Sequence, residues 1–213
     1  WYKPEPDETG FMVILDSQGG DVIAALELGR MFRKARVTVL VGKNSKCLSS
    51  CVFLLAGAVR RTLVGGPIGI HRPYSGDTSP TTYESLQSRT AQLSKLVSGY
   101  LTDTNIPTAL YASMMRVSPE QIRILDSDEL AQYSLSQDDP VFAELQRQAE
   151  ARAAGLPMTE YLPRKAAYDR CVNSLFQRRI EQGKVGMTLE DMQEISRGKD
   201  ECVNRFLLRD SQR

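Results

Sequence analysis

The feature that most constrains the fold lies within the first forty or so positions. Residues 11–15 form a short apolar run without helical period, and Asp16, Ser17, Gln18, Gly19 and Gly20 break it sharply. From Asp21 onward Val22, Ala25, Leu26, Leu28, Gly29 and Phe32 recur at helical spacing, with Arg30, Arg33 and Lys34 toward the helix C-terminus. Residues 37–41 then give a β-branched strand. A buried strand, a glycine turn, an amphipathic helix and a second strand make one β-α-β unit. The pattern continues, because Ser49 onward reads as a mostly apolar helix, CVFLLAGAV, rich in small residues suited to close packing. Residues 60–63 and 68–71 read as further strands, separated by Gly65, Gly66 and Pro67. Such alternation predicts a layered α/β fold.

After Pro73 the polar stretch YSGDTSPTT predicts an exposed loop, and residues 83–100 carry the period of a long helix. A shorter helix is expected over 107–115. Ser118, Pro119 and Glu120 form a helix-start signature, and residues 125–133 predict another helix with Ser127 as cap. The α/β unit closes near Leu135. Beyond Asp138 the chain turns helical and charged, punctuated by Gly155, Pro157 and Pro163, and Thr188 opens a last helix ahead of Leu189, Glu190 and Asp191. The expected organisation is an α/β domain over residues 1–137 and a helical appendage over 138–213.

Lys and Arg total 27 against 26 Asp and Glu, so no single-sign field favours a polyanion or an anionic membrane. Nucleic acid is not an expected partner. No apolar run reaches the roughly eighteen residues that span a bilayer, so the chain is expected to be soluble. It opens on Trp1 without a basic and apolar leader, and any targeting segment is expected upstream.

The cysteines, Cys47, Cys51, Cys171 and Cys202, fit neither a zinc ribbon nor a redox CxxC pair, and no metal or cofactor is expected. Asp169, Cys171, Val172 and Asn173 recur as Asp200, Cys202, Val203 and Asn204. If two helices turn back on each other near Gly186 and Met187, Cys171 and Cys202 can face one another and bridge. A bridge would imply an oxidising, exported compartment, whereas reduced thiols would fit a cytoplasmic one. Cys47 and Cys51 flank a serine pair; a bridge between them would staple that turn and fix the Cys51 N–H, but both are expected to be reduced packing residues, because a loop-to-helix turn does not guarantee disulfide geometry.

His71 is the single histidine, so any His-dependent acid-base step must use it. It lies in GIHRP at the end of an expected strand. Ser49 and Ser50 directly precede a helix, where free backbone N–H groups and the positive end of the dipole suit a developing oxyanion. The loop of residues 17–20 also leads from strand to helix, and its paired glycines let a backbone N–H approach a substrate carbonyl.

LDSQGGDVIAALELGRMFR, then CLSSCVFLLAG, then GIHRPY resembles the proteolytic subunit of the Clp protease, and more closely the periplasmic Clp-like proteins that carry an SSC motif. The resemblance covers about residues 11–135. It implies repeated β-α units of the Clp and crotonase type, with the family's opening strand and helix absent. It implies a serine peptidase with Ser50 as nucleophile, His71 as base and the Gly20 and Cys51 N–H groups as oxyanion hole, acting through an acyl-enzyme on a peptide or protein substrate. Homo-oligomerisation through the helix over 83–100 is implied as well. Gln18 replaces the family's usual proline, and Ile122 stands where the triad acid would be. Asp126, with Glu120 or Asp103 as alternatives, is then the acid that could orient His71, or a dyad could work without one. Three other readings stay open: a non-catalytic scaffold that binds peptides, a crotonase-type enzyme acting on an acyl-coenzyme A, and a peptidase whose base is Lys43 or Lys46.

Overall fold

The computed structural model describes residues 11–74, 82–181 and 188–207. The sequence-predicted loop after Pro73, past Tyr74, and the turn at Gly186 and Met187 lie outside them. The chain is mixed α/β, with two small sheets and, among the described residues, eight helices. Two compact units divide at Ala143 and Glu144.

In the first unit, β1 (Met12–Ile14), α1 (Val22–Lys34) and β2 (Thr38–Val41) form the expected crossover. α1 starts because the Asp21 carboxylate accepts the Ala24 N–H at 2.7 Å. β3 (Cys47–Leu48), α2 (Cys51–Gly57), β4 (Arg60–Leu63) and β5 (Ile68–Ile70) follow, then α3 (Tyr83–Asp103), α4 (Ala109–Met115), β6 (Arg123–Ile124) and α5 (Ser127–Gln132). One sheet runs β1-β2-β4, all parallel; the other runs β3-β5-β6, with β3 and β5 parallel and β6 antiparallel. Parallel strands need covered faces, and Val39, Val41, Ile68 and Ile70 are buried accordingly, whereas β1, expected to be a buried strand, lies at the edge of its sheet with Met12 and Ile14 exposed. The core extends from Leu15 through α2 and Tyr100 to Leu135.

Two local expectations are corrected. Ser118, Pro119 and Glu120 form a turn rather than a helix start, with the Gln121 N–H donating to the Ser118 carbonyl at 3.1 Å before the chain enters β6. The cap of α5 is Asp126 rather than Ser127, because Glu129 completes a capping box with it.

The second unit takes in the remainder of α6 (Pro140–Ala153), with α7 (Met158–Glu181) and α8 (Leu189–Phe206). Thr188 opens α8 through a capping box with Asp191, as its sequence predicts. Cys171 and Cys202 are bridged, their Cα atoms 6.0 Å apart. No described helix is long and apolar enough to cross a membrane.

Candidate functional site

The site is assembled where three neighbouring segments end together. Past β1 the chain reaches Ser17, which bridges in parallel to Cys47; its N–H donates to the Lys46 carbonyl at 2.8 Å, and its carbonyl accepts the Leu48 N–H at 3.0 Å. β3 in turn runs parallel to β5, with Cys47 opposite Ile68 and Leu48 opposite Gly69. The three segments therefore point the same way, and their C-terminal ends bring Gly19 and Gly20, Ser49 and Ser50, and His71 to one edge. In parallel α/β sheets this is the edge at which functional loops gather.

The glycine loop and the serine turn abut. Gly19 has φ 101°, and a Cβ built there would lie 2.6 Å from the Ser49 Cβ and 2.9 Å from the Leu48 carbonyl oxygen. Only glycine fits this approach. The Ser49 N–H donates to the Gly69 carbonyl at 2.8 Å, tying the turn to β5 as well. Ser50 is buried and stands at the N-cap of α2, yet its φ of −62° and ψ of −18° are helical and its side chain makes no capping bond. Its hydroxyl is thus not committed to the helix. The N–H groups of Gly20 and Cys51 donate to no acceptor among the described residues.

Cys47 and Cys51, expected to be free, form a disulfide across this turn, with Cα atoms 5.2 Å apart. The serine turn brings the Cα atoms within the span a bridge needs.

His71 follows β5 and is buried. Its Nδ1 lies 3.0 Å from the Arg72 carbonyl oxygen. A carbonyl only accepts, so this bond puts the proton on Nδ1 and leaves Nε2 as the basic nitrogen of the neutral ring. The Tyr74 ring packs beside the imidazole, centroids 5.9 Å apart. No hydrogen bond joins Ser50 and His71. Nor does one join His71 and Asp126, whose carboxylate accepts the Glu129 N–H at 2.8 Å as the α5 cap. The preference for Asp126 as third member therefore has no bond behind it. Of the alternatives, Asp103 and Glu120 are exposed, and Glu120 accepts the Ser118 hydroxyl, which holds its carboxyl below the usual range. Ile122 is an exposed apolar residue.

Behind the site, α2 is gripped at its far end by Arg61. The buried guanidinium donates to the Leu55, Ala56, Ser134 and Gln137 carbonyls at 3.1, 2.8, 2.9 and 3.1 Å, satisfying the last carbonyls of the helix that Ser50 precedes. Burial lowers its pKa to about 10, against the pull of Asp139. The Tyr100 hydroxyl donates to the Phe53 carbonyl at 2.6 Å, and Gly29 and Gly57 let α1 and α2 pack against each other there. Burial raises the Tyr100 pKa, so the phenol stays protonated as a donor.

Sequence reasoning did not find Arg61 or the Arg72 carbonyl. Arg61 carries only the weak signal of a charge inside a strand pattern, and a backbone carbonyl leaves no signal at all. Lys43 is exposed, and Lys46 uses its own N–H to reach the Asp16 carboxylate at 3.1 Å. Among the described residues no group of three His, Cys, Asp or Glu is placed to hold a metal. No protein-family model matches the chain, and no curated protein matches it.

Proposed function

We propose that the chain is a serine hydrolase of the Clp and crotonase type that cleaves peptide bonds through an acyl-enzyme. One observation carries the reading: a serine whose hydroxyl makes no cap bond, two N–H groups without acceptors among the described residues and a histidine with its Nε2 basic stand at the ends of three adjacent segments. In this mechanism His71 Nε2 takes the proton of the Ser50 hydroxyl as Oγ attacks the scissile carbonyl. The Gly20 and Cys51 N–H groups receive the negative charge on the carbonyl oxygen. The imidazolium then gives its proton to the leaving amine, and water hydrolyses the ester. The Arg72 carbonyl orients the imidazole in place of a carboxylate. Catalytic hydrogen bonds are often long before substrate binds, so the missing Ser50–His71 bond is compatible with this scheme.

Two disulfides support an exported, periplasmic setting. The exposed residues 82–92 at the start of α3 support self-association through that helix. A second reading, a peptide-binding scaffold without catalysis, is favoured by the use of Asp126 as a helix cap. A fluorophosphonate probe separates the two. The hydrolase reading expects labelling that Ser50→Ala and His71→Gln abolish and Ser49→Ala largely keeps; a wild-type chain that takes up no probe, or a Ser50→Ala variant that labels equally, would overturn it.

A further inference from the structure

The two disulfides close loops of very different size, with sequence separations of 31 and 4. A cross-link restrains the unfolded chain more as the closed loop lengthens, so the short bridge contributes the smaller share to stability. It is nevertheless deeply placed, with Cys47 and Cys51 both within the core. It also encloses only Leu48, Ser49 and Ser50.

The turn inside that ring is not at rest by its own chemistry. Ser49 has φ 58°, in the left-handed region that a residue with a Cβ disfavours. Ser50 lacks the side-chain cap that usually fixes a serine at a helix start. The ends of the ring, by contrast, are firmly held. The Cys47 N–H donates to the Pro67 carbonyl at 3.0 Å within the β3–β5 pairing, and Cys51 begins a helix buried along nearly all its length. The bridge therefore joins two fixed points across a strained turn that carries the proposed nucleophile and one proposed oxyanion donor.

From this we infer that the Cys47–Cys51 disulfide is a positioning element of the candidate site, holding the Ser50 hydroxyl and the Cys51 N–H in register for attack. This rests on the hydrolase reading. The sulfurs take no part in the reaction. A dithiol that reduces the bridge gives up two electrons and two protons, becomes a disulfide itself, and leaves Cys47 and Cys51 as thiols with the turn free to relax.

The test measures the fluorophosphonate labelling rate at saturating probe, together with the melting midpoint, for the full chain. The Cys47→Ser/Cys51→Ser and Cys47→Ala/Cys51→Ala pairs are expected to label about tenfold or more slowly, since small misplacements of reacting groups carry losses of that order or larger. Both pairs change groups buried in the first unit, so their melting midpoints should also fall, and labelling is read well below them. Cys171→Ser/Cys202→Ser should melt earlier too, while labelling at the wild-type rate. Wild-type labelling rates in the folded Cys47 and Cys51 pairs would overturn the inference and leave the hydrolase reading standing. A wild-type chain that never labels removes both. If the paired variants do not fold, dithiol titration of the wild type replaces them: loss of labelling in step with Cys47 and Cys51 thiols, with circular dichroism intact, supports the inference, and labelling that persists until the fold is lost overturns it.

Discussion

The two units solve the problem of stability differently. The first closes around a continuous interior in which buried strands, α1, α2 and Tyr100 interlock, and the buried Arg61 and Asp139 charges are engaged by partners. The second has a small separate cluster, Ala151, Leu156 and Tyr161, with α7 and α8 joined by the Cys171–Cys202 bridge. Tyr161 donates to the Glu150 carboxylate, and several of its ion pairs lie at the surface, where such pairs contribute little. A small core gains little from burial and leans on a covalent staple. Packing defects should therefore dominate in the first unit and loss of the bridge in the second.

The largest effect is expected from Arg61→Met. The change keeps the apolar stem but removes the guanidinium donor from the Leu55, Ala56, Ser134 and Gln137 carbonyls; Leu55 keeps the Ala58 N–H, whereas the carbonyl of buried Ala56 loses its partner. Stranding buried polar groups in this way costs about 3–5 kcal/mol. Hydrogen exchange should show the amides of α2 and β4 losing protection while those of α7 and α8 keep theirs. Equal loss in both units would break the comparison.

Next in size is removal of the second unit's staple. For a loop closed over 31 residues, Cys171→Ser/Cys202→Ser should cost about 3 kcal/mol. The loss should fall on α7 and α8, where the Leu175 side chain packs closely over Gly198. Denaturant unfolding monitored by exchange in these helices checks it, and a change below about 0.5 kcal/mol would show that packing, not the bridge, holds the pair.

How much of this was legible depended on element length and on the kind of partner. Residues 60–63 form β4 as read, and α1 follows its apolar period, because burial on one face leaves a repeating signature. β3 and β6, two residues each, are too short to carry a period and exist through pairing with β5. That pairing also defeats the helix-start signature at Ser118, since the chain must extend into β6. Asp126 and Ser127 are both good caps, and the three-residue offset to Glu129 chooses Asp126. At the site, the glycine loop, the serine pair and the histidine were visible as loop chemistry at strand ends. The Arg72 carbonyl was not, because every residue has one. The Cys47–Cys51 bridge was not the preferred reading, because no residue pattern announced the turn that brings the two Cα atoms to 5.2 Å.

The smallest expected effect sharpens the comparison through pH. Asp139 is buried and belongs to the first unit, although residue 137 marks the end of that unit's sequence pattern. Its carboxylate accepts from Arg33 and from the Asn105 amide, both at 2.8 Å, and from the Phe142 N–H at 2.9 Å. Burial alone would raise its pKa, but these donors together outweigh it and hold the carboxyl below its ordinary range. The unfolded chain thus binds the proton more readily, so stability rises with pH between the folded and unfolded values. The contribution is complete above the unfolded value of about 3.9 and is lost as the pH falls through the lower folded one. A charge-assisted network of this kind contributes about 2 kcal/mol. Asp139→Asn should therefore lower the first unit's stability near neutral pH, and the gap from wild type should narrow below about pH 4. Urea midpoints taken from neutral pH down to about pH 3 would show it; a gap that stays constant across that range would mean the Asp139 charge does not stabilise the unit.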